Sequence, residues 1–99
     1  MPRLYSSNLG GGSSGGVTIL AGGIVAINDA TQNFTVNFST DLGTTDYVLN
    51  FSLENNVDAD PIYLTGVIAT KNTNGFDVEL SAPTDSANYE INYMVCMPV

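Results

Sequence analysis

Residues 33–54 read NFTVNFSTDLGTTDYVLNFSLE, in which two runs of alternating apolar and polar side chains flank a turn-rich stretch. Successive side chains of an extended chain point to opposite sides, so the alternation gives each run one apolar face. Those faces consist of Phe34, Val36 and Phe38 in the first run and of Tyr47, Leu49, Phe51 and Leu53 in the second. The pattern predicts two half-buried strands joined through the turn DLGTTD at residues 41–46.

The same alternation recurs in GFDVELS at residues 75–81 and in NYEINYMVCM at residues 88–97. Two further segments, GGIVAIN at 22–28 and PIYLTGVIAT at 61–70, are apolar on both faces. Strands of that kind are typically covered on both sides. Asn74-Gly75 lies between two of these segments and predicts a hairpin, because both residues tolerate a positive φ.

No long stretch of the chain has the period of a helix, and short strands separated by turns predict an all-β fold. We expect a small antiparallel β-sandwich over residues 17–99. Residues 6–16, SSNLGGGSSGG, form the low-complexity segment of the chain. Glycine loses the most backbone entropy on ordering, so residues 1–16 are predicted to be a flexible Gly/Ser-rich N-terminal arm.

The charge of the chain is strongly negative: Asp and Glu number 10, Lys and Arg number 2, and the formal net charge is −8. Binding to nucleic acid requires Lys and Arg to displace counterions from phosphates, and anionic membranes repel an acidic protein. We therefore expect neither nucleic acid nor membrane as a partner. No apolar run approaches the roughly 20 residues of a membrane span, and the N-terminus lacks the pattern of a secretory signal. We therefore expect either a soluble cytosolic product or a fragment of a longer protein.

The chain contains no His and one Cys. That composition excludes Ser-His-Asp and Cys-His catalysis, Cys/His zinc sites and an intramolecular disulfide. Cys96 lies in an alternating strand pattern with no base near it, which indicates a small packed hydrophobe. We expect a non-enzymatic protein without metal or cofactor.

Two groups of acids are candidates for a functional site. Asp77 and Glu79 lie two apart on one strand face, about 6.5–7 Å from each other by strand rise, within the range of the paired carboxylates of sugar hydrolysis. The alternative is a solvated strand face. Glu54, Asp58 and Asp60 share the loop ENNVDADP, which suits either a calcium site or an ordinary acidic loop.

The tyrosines carry two interpretations as well. Aromatic faces stack on sugar rings, so Tyr47 and Tyr63, with Tyr89 and Tyr93, are candidates for a glycan-binding surface. The alternative is that the alternation already uses these tyrosines in the core or in contacts between subunits.

The strand pattern also points to assembly. Exposed edge strands of soluble monomers usually carry Lys or Pro, and the strands of this chain contain almost no Lys. The last strand, residues 89–97, is apolar on both faces near its end, which predicts burial against a neighbouring subunit and a homotrimer. Residues 2–9 are the candidate partner-binding arm, through Arg3, Leu4, Tyr5 and Leu9.

The order of these segments resembles the small H-type lectin-like sandwich of phage tail fibres and other virion surface proteins. In that family an F-x-V-x-F strand leads through a turn to Y-x-V, and a later N-x-x-G-F-x-V hairpin precedes a final strand with alternating aromatics. The matching positions over residues 17–97 are Phe34, Val36, Phe38, Tyr47, Val48 or Leu49, Gly75, Phe76, Val78, Tyr89, Ile91 and Tyr93. The resemblance implies a β-sandwich that forms trimers or hexamers and has no enzymatic activity.

We therefore expect a structural protein of a tailed-phage particle, located in the virion after assembly in the host cytoplasm. A capsid decoration or cement protein and a small tail or fibre component both fit, with the phage major capsid or tail protein and other copies of this chain as partners. The alternative is a lectin-like module that recognises a host receptor through carbohydrate.

Overall fold

The computed structural model describes residues 18–98, which form six β-strands and no helix. The strands are β1 (Ile19–Ile27), β2 (Asn33–Asn37), β3 (Val48–Glu54), β4 (Gly66–Asn72), β5 (Gly75–Leu80) and β6 (Tyr89–Cys96). The predicted all-β fold is confirmed. The predicted arm at residues 1–16 lies outside the described residues. Within residues 18–98 no helix is long and apolar enough to cross a membrane.

The strands form two antiparallel sheets of three strands each. The first sheet has the order β1-β6-β3, and the second sheet has the order β2-β5-β4. The chain changes sheet at every connection except the β4–β5 hairpin. The last strand of the sequence is therefore the central strand of the first sheet, with β1 paired on one side and β3 on the other.

The core lies between the inner faces of the two sheets. The central strands contribute most of its fully buried side chains, among them Phe76, Val78, Ile91 and Val95, and the edge strand β2 contributes Val36. Phe38 is in contact with the rings of Tyr47, Phe76 and Tyr93, at centroid separations between 5.7 and 6.1 Å. Alternation predicted these inward positions, because inner faces of a sandwich take every second residue.

The predicted burial of residues 89–97 against a neighbouring subunit is not needed at Val95 and Cys96, because β6 is paired on both edges and the chain itself buries these two residues. For the exposed Met94 and Met97 it stays a prediction. The predicted cover on both faces of residues 22–28 and 61–70 is not provided by the described chain. Ile24 is 66% exposed and Val67 is 65% exposed. Among the strands of residues 18–98, the edges without a partner strand belong to β1 and β3 in the first sheet and to β2 and β4 in the second.

The predicted hairpin at Asn74-Gly75 is confirmed, but the reason for the glycine differs. Among residues 18–98, a positive φ occurs at Ala30 and Gly43, and neither Asn74 nor Gly75 has one. A Cβ atom at Gly75 would instead overlap the carbonyl oxygen of Val36 on the neighbouring β2. Gly75 is therefore required for the close approach of two backbones, not for the turn.

Candidate functional site

The β3–β4 loop and the β5–β6 loop are joined through the carboxylate of Asp58. The Asn55 side-chain amide donates to Asp58 Oδ2 over 2.7 Å, and the Asn88 amide donates to Oδ1 over 2.8 Å. The Ser86 hydroxyl donates a further short hydrogen bond to Oδ2. These bonds, that from Ser86 foremost, hold the pKa of Asp58 below its usual value. Asp58 is thus an acceptor that connects two loops.

The acids of the ENNVDADP loop do not converge. Glu54 and Asp60 are exposed, and Asp58 is engaged with the amide and hydroxyl donors of the neighbouring loop. Over residues 18–98 no three side chains of Asp, Glu, Cys or His lie together as a metal-binding group. The geometry of this loop is that of a hydrogen-bonded connection.

Tyr89 fixes the segment that follows this loop. Its hydroxyl donates to Asp85 Oδ1 over 2.7 Å and accepts from the Ile62 backbone N–H over 2.9 Å. Burial, and next the hydrogen bond to Asp85, raise the pKa of Tyr89. The hydrogen bond to the Ile62 N–H fixes the backbone immediately before Tyr63. The exposed ring of Tyr63 therefore extends from a backbone segment whose position is fixed.

A surface depression of about 250 Å³ lies beside Tyr63. It is lined by Leu53, Glu54, Asn55, Pro61, Ile62, Tyr63, Leu64 and Tyr89. Tyr63 is 88% exposed and forms an aromatic wall, whereas Glu54 supplies a carboxylate acceptor. An aromatic face beside hydrogen-bonding groups is the arrangement that binds a sugar ring. We call this feature the Tyr63 depression.

The second glycan candidate, Tyr47, lies in the core. It is 2% exposed, and its hydroxyl is 2.9 Å from the carbonyl oxygens of both Asn72 and Gly75, to which it donates. Burial raises its pKa. Tyr47 precedes β3, whereas Tyr63 lies beside the other end of that strand, so the fold does not bring the two rings together. Tyr89 is likewise a core residue, and Tyr93 is partly buried and packs against the core.

Asp77 and Glu79 lie on the outer face of the second sheet. The Thr35 hydroxyl, on the neighbouring strand β2, donates to Asp77 Oδ1 over 2.6 Å. Glu79 is exposed and lies opposite Asn33 on β2 and Val67 on β4. Both carboxylates therefore belong to a hydrated strand face.

The outer face of the first sheet carries a feature that the sequence analysis did not identify. Residues opposite one another in an antiparallel sheet point to the same side, so pairing defines rows across the three strands. One row joins Ile19, Cys96 and Val48, and the row at the other end joins Ala26, Glu90 and Glu54. The alternation in GGIVAIN and in NYEINYMVCM separates the residues on the two faces of each strand. Only the pairing of β1 with β6 shows which residues of the two strands lie on the same face of the sheet.

The apolar end of this face is exposed. Its exposed members are Ile19, Ile24, Val48 and Met94, with exposures between 40% and 66%. Gly22 lies among them, and no side-chain atom comes within 4 Å of the position that a Cβ would take there. We call these four side chains the apolar patch. Of the predicted site residues, Arg3, Leu4, Tyr5 and Leu9 lie outside the described part of the chain.

Comparison with known proteins adds no relative: no family model, no curated protein and no solved structure matches this chain.

Proposed function

We propose that the chain is a non-enzymatic structural protein of a tailed-phage particle, a capsid decoration or cement protein or a small tail or fibre component. In this role it associates with copies of itself and is attached through residues 2–9. The observation that carries the proposal is the apolar patch. Exposed apolar side chains that share one sheet face favour an interface, because soluble monomers rarely leave large apolar patches exposed.

The composition of the patch suits a contact between copies. Its centre contains aliphatic and methionine side chains, and its border contains the neutral polar residues Asn50, Ser52 and Asn92. A hydrophobic centre within a polar border is the usual anatomy of a protein interface. The carboxylates of Glu54 and Glu90 lie at the far end of the face, away from the row of Ile19.

Self-association through the patch is tested by native mass spectrometry and sedimentation velocity at micromolar concentration, where we expect a homotrimer. Ile24→Lys places a charge on the patch and should yield a monomer. Val67→Lys is the matched control, because Val67 is equally exposed, at 65%, but lies on the outer face of the other sheet. A monomeric parent protein, or equal loss of association in both variants, would contradict the proposal.

Attachment to a particle is tested separately. Mass spectrometry of gradient-purified particles, produced by the genome that encodes this chain, should detect the protein at stoichiometric abundance. Deletion of residues 1–16 removes none of the six strands and should abolish its co-sedimentation with the particles. Undiminished occupancy of the truncated protein would show that another surface attaches it.

The Tyr63 depression favours a second candidate, the binding of carbohydrate. Stacking requires the ring face and not the hydroxyl. Tyr63→Ala should therefore abolish a glycan-array signal, and Tyr63→Phe should retain most of it. The candidate fails if the parent protein binds no glycan or if Tyr63→Ala binds as well as the parent.

A further inference from the structure

Among residues 18–98, the free edge of β3 is the longest open edge whose ladder contains no irregularity. It extends over seven residues without Pro or Lys, whereas the ladders of β1 and β4 contain irregularities at Ile19/Ala21 and Ile68/Thr70. Within residues 18–98 no hydrogen bond outside the strand ladders reaches the backbone of β3. An edge of this kind is a template for another strand.

A groove lies beside this edge, between the two sheets. Its volume is about 580 Å³, and it is lined by Val48 and Leu49 from β3 and by Ile68, Ala69 and Thr70 from β4, with Tyr47 and Lys71 closing one end. Both flanking strands are sheet edges. The groove is therefore the place where one further strand would close the side of the sandwich.

The direction in which the chain enters β1 indicates which segment can occupy the groove. β1 and β3 both pair with β6, so Ile19 and Val48 lie in one row, at the same end of the first sheet. The chain before Ile19 leaves from that end. If it returns along β3, it runs antiparallel to β3, which is the direction that short connections allow.

The length of the connection fits the same path. A strand beside β3 would lie three strand spacings from β1, about 14 Å. The nine residues from Gly10 to Thr18 are mostly Gly and Ser, and a coil of that length and composition spans about 15–18 Å. The effective concentration of a tethered segment is greatest when these two lengths match.

We propose that residues 3–9 of the same chain, RLYSSNL, pair with the free edge of β3 and extend the first sheet by a fourth strand. In this register Leu9 lies opposite Leu49 beside the groove, the small Ser7 lies opposite Phe51, and Tyr5 lies opposite Leu53. These β3 residues are partly buried side chains packed against the core. Apolar residues of the arm thus extend the inner face of the sheet.

Charge supports the same direction. The row at the far end of β3 places Glu54 directly opposite Glu90, and like charges in that position destabilise a sheet. Arg3 lies at the corresponding end of the paired segment, within reach of Glu54. In the free protein the partner-binding segment and the open edge therefore cover each other. The inference rests on the proposed function only in taking residues 2–9 as the binding segment.

Disulfide trapping tests this register. In a Cys96→Ala background of the full chain, Asn8→Cys is combined with Asn50→Cys, the position opposite it. The matched control combines Asn8→Cys with Asn37→Cys. Asn37 is an exposed residue of the edge strand β2. It pairs with Gly75, and the Gly75 carbonyl oxygen accepts a hydrogen bond from Tyr47, the residue before β3, so Asn37 lies at the same end of the molecule as the start of β3.

We expect the Asn8/Asn50 pair to form a disulfide within one chain at least about tenfold faster than the control, as its higher effective concentration requires. Equal rates, or linkage between chains only, would overturn the inference. Hydrogen exchange gives a second readout: deletion of residues 1–16 should accelerate exchange of β3 edge amides at least about tenfold without affecting β5. Unchanged β3 exchange would also overturn the inference, and neither result bears on particle attachment.

Discussion

Thr84 illustrates how a single buried hydroxyl holds two connections together. It is 3% exposed; its Oγ1 donates to the Asn28 carbonyl over 2.7 Å and accepts from the Thr31 backbone N–H over 3.0 Å. The Thr84 backbone N–H donates to the Thr31 carbonyl, and its carbonyl accepts from Ala30. Thr84 therefore joins the β1–β2 turn to the β5–β6 loop.

Replacing Thr84 by Val keeps the shape of the side chain but leaves the Thr31 N–H and the Asn28 carbonyl without their partner. We expect a loss of about 1–3 kcal/mol in the free energy of unfolding, the usual cost of a buried unsatisfied group. Urea denaturation measures it, with Thr84→Ser as the control that retains the hydroxyl. A Val variant as stable as the Ser variant would contradict this role.

Asp58 predicts a dependence of stability on pH. Its pKa is lower in the folded protein than in the unfolded chain, so the folded state favours the carboxylate and its stabilising effect is present above the unfolded pKa. That contribution is lost as the pH falls through the folded pKa. Thermal melting of Asp58→Asn at neutral pH should occur at a lower temperature than that of the parent, and the difference should diminish in acid. A difference that stays constant down to strongly acidic pH would contradict the assignment.

Among the elements, the β4–β5 hairpin shows what alternation and turn residues can predict. Asn74-Gly75 placed the hairpin correctly, but the contact that requires Gly75 is made with Val36, far away in the sequence. The same limit applies to β6. Its alternation defined inner and outer residues, yet alternation does not specify neighbouring strands, and the central place of β6 follows from pairing with β1 and β3.

Gly75→Ala should therefore destabilise the protein. The added Cβ would overlap the Val36 carbonyl oxygen, which cannot move without disturbing the β2–β5 ladder. Overpacking of this kind costs about 1–3 kcal/mol. Gly23→Ala is the control, because its Cβ would lie 3.5 Å from the Tyr93 ring, an ordinary contact. Equal melting temperatures for the two variants would refute the steric argument.

At the scale of the whole molecule, the sequence supports the fold better than the sites. Composition and alternation predicted the sandwich and Cys96 as a small packed hydrophobe, and Cys96 is buried. Residue type alone made Tyr47 and Tyr63 equal candidates for glycan binding, although the fold buries Tyr47 and exposes Tyr63. The sequence does not show where the loops place each ring. The apolar patch requires three strands from distant parts of the chain, so no single stretch of sequence could predict it.

The formal net charge of −8 gives the whole molecule a test of how copies associate. Each copy repels the next, and raising the ionic strength from 0.01 M to 1 M shortens the screening length from about 30 Å to about 3 Å. Burial of the apolar patch is not weakened by this screening, so self-association measured by sedimentation should become stronger with salt. Ile24→Lys should remain dissociated under the same conditions, which separates burial of the patch from a general loss of solubility. Weakening of the parent's association by salt would instead indicate a contact formed by charge pairs.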